Sequence, residues 1–140
     1  MKIKLLISIV VFALFILPRT TFGKVPAKVE NAFHAKYPAI TEVKWEKEKG
    51  NYEANFHIEG KKTSILIDTA GKIMETEVAI AMSELPENAK SYLNTNRKGM
   101  KIKETSKITL SDGSIRYEAA VNGKDLLFDQ TGKFLKETKD

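Results

Sequence analysis

Two rhythms of apolar residues run along this chain. Over residues 26–37, Val29, Ala32, Phe33 and Tyr37 fall at helical spacing and form one apolar face. Pro26 opens this helix, since the N–H that proline lacks would have no partner in a first turn. Pro38 closes it, because the residue before a proline avoids the helical region. The period then drops to two. Residues 41–46 put Val43 and Trp45 on one side, and Tyr52, Ala54, Phe56 and Ile58 alternate with Glu53, Asn55, His57 and Glu59. Residues 63–68 hold Ile65, Leu66 and Ile67, and residues 72–78 hold Ile73 and Met74. Short turns at Lys49-Gly50-Asn51, Gly60-Lys61-Lys62 and Asp68-Thr69-Ala70-Gly71 predict antiparallel neighbours.

The pattern then starts again. Leu85-Pro86 echoes Val25-Pro26, Tyr117-Glu118-Ala119 echoes Tyr52-Glu53-Ala54, and Asp129-Gln130-Thr131-Gly132-Lys133 echoes Asp68-Thr69-Ala70-Gly71-Lys72. Self-similarity in constant order predicts duplication. A second helix begins at Pro86, with Leu85, Ala89, Tyr92 and Leu93 on one face. Strands over residues 107–110, 115–121, 125–128 and 133–137 follow, with tight turns at Asp112-Gly113 and Asn122-Gly123. Ile108 and Leu110 stand where Val43 and Trp45 stand in the first half.

The expected fold is α+β: two tandem repeats, residues 24–82 and 83–140, each one helix packed on a four-stranded antiparallel meander sheet. Tyr52, Ala54, Phe56, Tyr117, Ala119 and Val121 should face the helices, leaving the other face open. The chain has no cysteine, so disulfides cannot rescue such small units and the two should support each other by packing.

The N-terminal stretch reads as an address. Met1-Lys2-Ile3-Lys4 is basic, residues 5–17 are apolar apart from Ser8, and Thr21-Phe22-Gly23 is a small-x-small exit. These are the parts of a secretory signal over residues 1–23, and the apolar run falls short of the ~20 residues a membrane span needs. The whole chain carries 23 basic and 18 acidic residues, net +5. Cleavage would remove Lys2, Lys4 and Arg19, leaving 20 basic residues against 18 acids. The high pI therefore does not argue for nucleic acid. The expected location is secreted, periplasmic first.

Phe33, Tyr37-Pro38, Val43-x-Trp45, Tyr52-x-Ala54-x-Phe56, Gly60 and Asp68-x-x-Gly71 together resemble the PepSY-like, beta-lactamase-inhibitor-like (BLIP-like) domains of bacterial envelope proteins, in tandem copies. The resemblance implies helix-plus-sheet units side by side and a curved sheet surface able to grip a partner. The second half departs from the pattern, lacking the Tyr-Pro helix end and carrying Leu110 in place of Trp45.

No catalytic constellation stands out. Thiol chemistry is excluded by the absence of cysteine, and His34 and His57 form no HExxH or HxH zinc pattern. Ser64 or Ser111 with a histidine would still need an orienting acid and an oxyanion hole. The Asp-x-x-Gly turns supply too few oxygens for calcium. No catalytic residue, metal or cofactor is therefore expected.

Binding is the remaining chemistry. By parity, Glu53, Asn55, His57, Leu66 and Met74 share the open side of the first unit, and Glu118, Asn122, Leu127 and Leu135 share it in the second, with Ala120. Aliphatic residues rimmed by polar groups often mark partner sites, although burial between sheets would account for them too. Trp45 has two readings, a plug under the first helix or an aromatic anchor for a partner. Lys98, Lys101, Lys103 and Lys107 form either a solvated edge or a contact for an acidic partner, anionic lipid or polysaccharide. The chain thus reads as a secreted non-enzymatic binding module, inhibitor-like in kind, contacting a protein partner or small ligand, with no stable membrane span after cleavage. The alternative is a structural or folding accessory of the envelope without a discrete ligand.

Overall fold

A computed structural model describes residues 23–139. The signal expected over residues 1–23 lies, apart from Gly23, outside the described residues. Helix α1 (Ala27–Lys36) is followed by strands β1 (Lys44–Glu48), β2 (Asn51–Ile58), β3 (Lys61–Ile67) and β4 (Ile73–Ala79). A 3-10 turn (Met82–Glu84) leads into α2 (Glu87–Asn96), then β5 (Ile102–Leu110), β6 (Ile115–Val121), β7 (Lys124–Asp129) and β8 (Phe134–Lys139).

The expectation of two four-stranded sheets is overturned. All eight strands form one antiparallel sheet in sequence order, because β4 pairs with β5 from Glu75↔Leu110 to Ala79↔Ser106. Left apart, β4 and β5 would each expose a row of unpaired N–H and C=O groups. Pairing them satisfies both edges at once. The seam is fastened further at its ends. Thr105 Oγ donates to the Ile80 carbonyl at 2.8 Å, the Ile80 N–H to the Thr105 carbonyl at 2.9 Å, and the Ser111 N–H to the Met74 carbonyl at 2.8 Å.

Both helices lie on one face of the sheet. Val29 and Phe33 of α1 pack with Tyr52, Ala54, Phe56, Ile65 and Ile67, and Ala89 and Leu93 of α2 pack with Ala119, Val121, Leu126 and Phe128. Trp45, the Tyr37 ring and Phe56 surround Phe33, with the Trp45 ring edge-on to it at 5.4 Å between centroids. In the second half Tyr92 stacks on Phe134 at 4.5 Å instead.

Two Asp-x-x-Gly turns tie the sheet to the helix starts. The Asp68 Oδ1 accepts from the Ala70 and Lys72 N–H groups, and the Asp129 Oδ1 accepts from those of Thr131 and Lys133. Their glycines carry φ of +87° and +85°, and each turn presses against the first turn of its helix. A Cβ on Gly71 would stand 2.8 Å from the Lys28 carbonyl oxygen, and one on Gly132 would stand 2.7 Å from the Ala89 nitrogen.

Strand β5 starts at Ile102, five residues before the strand read from the sequence. A register shift between Ile102 and Glu104 breaks the two-residue alternation there and disguises the strand as a basic stretch. It also moves Ile108 and Leu110 to the face opposite Trp45: Ile108 is flanked by Glu77 and Arg116 and packs with Leu127 and Leu110. The equivalence of Leu110 with Trp45 is therefore corrected.

Candidate functional site

The face opposite α1 and α2, free of helices among the described residues and called the helix-free face below, is the part of the sheet with unusual chemistry. Strand register orders its side chains in rows. One row runs Glu46, Glu53, Leu66, Glu75 and Leu110 across β1 to β5. The next runs Lys44, Asn55, Ser64, Glu77, Ile108, Arg116 and Asp129 across β1 to β7. Toward the far strands Ser106, Glu118, Leu127 and Lys136 align.

The middle of this face is closed to solvent. Glu53, Ser64, Leu66, Glu75, Glu77, Ser106, Ile108, Glu118, Asp125 and Leu127 are all buried, Glu77 with 1 % of its surface exposed. Five of these ten are acids, a class almost never buried without a counterpart. The Glu77 Oε2 has no hydrogen-bond partner. Burial pushes the Glu53 carboxyl up to about 8, and the charges of Glu48 and Glu46 push the same way, against the Ser64 hydroxyl. Burial likewise holds Glu77 well above the usual carboxylate range, helped by Glu75, Glu53 and Glu104 and opposed by the Ser106 hydroxyl. Near neutral pH Glu53 holds its proton for much of the time.

Cations stand around this centre. Lys62 Nζ reaches both Glu104 carboxylate oxygens at 3.1 Å, and Lys44 pairs with Glu46 at the β1 edge. A recess of about 470 Å³ opens beside the Lys62–Glu104 pair, bounded by Ile80, Met82, Ile102 and Thr105. Among the described residues no group of three acids, histidines or cysteines could hold a metal ion, and no helix is long and apolar enough to cross a membrane.

The residues singled out from the sequence separate into three environments. Glu53, Leu66, Glu118 and Leu127 are in the buried middle of the face. Asn55 is half-buried in the row with Ser64 and Glu77, while His57 is exposed near the end of β2. Met74, Leu135 and Asn122 leave the rows. Met74 and Leu135 are extra residues at register shifts opposite Leu66/Ile67 and Leu127/Phe128, and Asn122 turns the β6–β7 hairpin with φ +53°. A bulge inserts one residue, so simple parity fails beyond it. Trp45 lies on the helix face, and Lys98, Lys101 and Lys103 are exposed while Lys107 is half-buried between Val78 and Tyr117.

Glu75, Glu77, Ser64, Ser106 and Asp125 are the residues that reading by periodicity misses. A signal exists: Glu75-Thr76-Glu77-Val78 places two glutamates at alternate positions of a strand, where glutamate is depleted.

No protein-family model matches the chain, and no curated protein matches it. Solved structures do. A candidate periplasmic protein from Bacteroides eggerthii aligns with a TM-score of 0.75 and 16% identity, over 84% of this chain and 90% of that one. A DUF2874 family protein from Bacteroides uniformis aligns with 0.72 and 19% identity, over 81% and 88%. A BLIP-like protein from Bacteroides fragilis aligns with 0.67 and 19% identity, over 86% and 89%. At these identities the likeness is one of fold, spanning most of each chain.

Proposed function

We propose that this protein is an exported, periplasmic binding module of the BLIP-like and PepSY-like kind, without enzymatic activity, that holds a protein partner against the helix-free face. The observation that carries this reading is the face itself. It spans eight strands, both described helices are on the other side, and it mixes carboxylates with Leu66, Ile108 and Leu127 in place of the charged surface of a solvated sheet. The basic start, apolar run and small-residue exit of residues 1–23 support export. The fold shared with the Bacteroides fragilis BLIP-like protein and the Bacteroides eggerthii candidate periplasmic protein supports the same class and place.

Leu66 and Leu127, each 2 % exposed, would destabilise the sheet whatever their role, so polar substitutions there do not separate binding from scaffolding. Accessible positions do. A photo-crosslinking side chain at Asn55 or His57 should capture one protein in the cell envelope, and the same side chain at Lys28 or His34, on the outer side of α1, should not. Equal labelling from both faces, or none from Asn55 and His57, would reject the reading and leave a structural role.

A further inference from the structure

The two ends of the sheet differ in chemistry. Strand register brings the β2–β3 turn, the start of β5 and the β6–β7 turn to one end, since Ile58 pairs with Lys61, Ile102 with Val121 and Val121 with Lys124. The chain enters β5 at this end, and residues 98–103 hold three lysines and no acid. Lys62 and Lys124 are partnered by Glu104 and Glu137, and Lys61 lies 4.0 Å from Glu84. Lys98, Lys101 and Lys103 are exposed and make no ion pair among the described residues. Glu59, exposed in the β2–β3 turn, offsets only one of these charges. The three turns at the opposite end each carry an aspartate instead, Asp68, Asp112 and Asp129. The basic end also shows apolar side chains to water: Met100 is 46 % exposed and Ile58 38 %. Alongside them opens the recess of about 470 Å³, lined by Ile80, Met82 and Ile102 together with Lys62 and Lys103.

We propose that this end of the sheet docks on the surface of an anionic phospholipid bilayer. Lys61, Lys98, Lys101 and Lys103 lie among the headgroups, and Met100 and Ile58 enter the boundary between headgroups and acyl chains. A soluble polyanion would meet the lysines and leave both apolar tips in water. A bilayer takes both, because lysine stems cover apolar surface while their heads stay with the phosphates. Being planar, it also reaches loop tips spread across several strands at once. Each lysine held near an anionic surface multiplies the partition by about fivefold, so the three unpaired ones together supply roughly 100-fold. Salt should remove most of that gain. Docked by this end, the sheet stands on the bilayer with both faces clear of it, so the inference holds whatever the helix-free face binds.

The chain has no cysteine, so a polarity-sensitive dye can be placed on the full chain at one site, through Met100→Cys at the basic end or Gln130→Cys in the exposed turn at the other end. Residues 1–23 carry an apolar run of their own, so the readout is which end of the sheet meets lipid, not attachment as such. Vesicles of equal parts phosphatidylglycerol and phosphatidylcholine should shift the dye at residue 100 toward an apolar environment and leave the dye at residue 130 unchanged. Pure phosphatidylcholine vesicles, or half-molar sodium chloride, should abolish the shift. Lys98→Gln, Lys101→Gln and Lys103→Gln together should raise the lipid concentration at half-maximal shift at least tenfold. The same three positions changed to arginine should keep the shift, and both variants should melt at the parent temperature, since all three side chains are exposed. Equal shifts from residues 100 and 130, an equal shift on pure phosphatidylcholine, or an unchanged titration of the glutamine variant overturns the inference; the first two comparisons need no lysine variant to fold. Tight binding of dextran sulfate by a chain whose residue-100 dye stays silent on the mixed vesicles overturns it as well, and marks this end as a site for a soluble polyanion.

Discussion

Glu53 makes the energetic character of the face visible at the level of one side chain. In the unfolded chain its carboxyl would titrate near 4.5, and in the fold it titrates at about 8. Between those values the folded state binds more protons than the unfolded state, so each pH unit upward favours unfolding. Below pH ~4.5 the group is protonated in both states and contributes nothing; above ~8 the full penalty is present. Glu77 acts in the same direction. The protein should therefore be more stable at pH 5 than at pH 8, on the order of 1–3 kcal/mol once partial relaxation is allowed for. Urea midpoints measured across pH 4.5–8.5 check this, and Glu53→Gln should flatten the profile. A stability that rises with pH in this window would show that the acids are well paired and ionised. The exposed Asp129 behaves oppositely: the Thr131 hydroxyl and the Lys133 N–H hold its carboxyl below the usual range, so it favours folding once pH exceeds that range.

At the scale of elements, the Asp-x-x-Gly turns act as spacers between strand and helix, a role that goes beyond reversing the chain. Replacing Gly132 with alanine brings a Cβ to 2.7 Å from the backbone nitrogen of Ala89, which a helix cannot yield without moving. Gly132→Ala should lower stability by about 2–4 kcal/mol, combining the left-handed strain with the displaced helix. Gly113→Ala, at φ +83° but with nothing near the new methyl, isolates the strain alone and should cost only ~1 kcal/mol. Chemical denaturation of the two variants separates the effects, and equal losses would mean the turn does not set the helix position. The same elements show what a sequence discloses. The turns, the prolines before both helices and the inward residues Ala54, Phe56, Ala119 and Val121 are legible because each is a local pattern. The bulges at Met74, Leu135 and the start of β5 are not, since one inserted residue reverses parity without changing composition. Periodicity therefore passes over Glu75 and Glu77 and puts Met74 and Leu135 on the face in their place.

For the whole molecule the decisive contact is the β4–β5 seam, which no local pattern announces. It is a pairing between distant strands, and its warrant is the free edge each strand would otherwise present. Its consequences reach across the structure. Row after row continues through it, from Leu66 and Glu75 to Leu110, and from Ser64 and Glu77 to Ile108 and Arg116. Lys62 on β3 reaches over it to Glu104 on β5. Ile108 and Leu127 pack together on the face opposite α1 and α2, so their burial depends on strands from both sides of the seam being in place. Opening either half should expose the other, and the chain should unfold as one unit. Native-state hydrogen exchange checks this directly: slow amides of β2–β3 and of β6–β7 should share one opening free energy and the same dependence on denaturant. Charge reversal at the crossing pair, Glu104→Lys against Lys62, should lower both sets together. Two separate sets, with only one shifted by the substitution, would mean the halves open independently despite the shared sheet. The face would then be a junction of two movable surfaces, and a partner would have to bridge them.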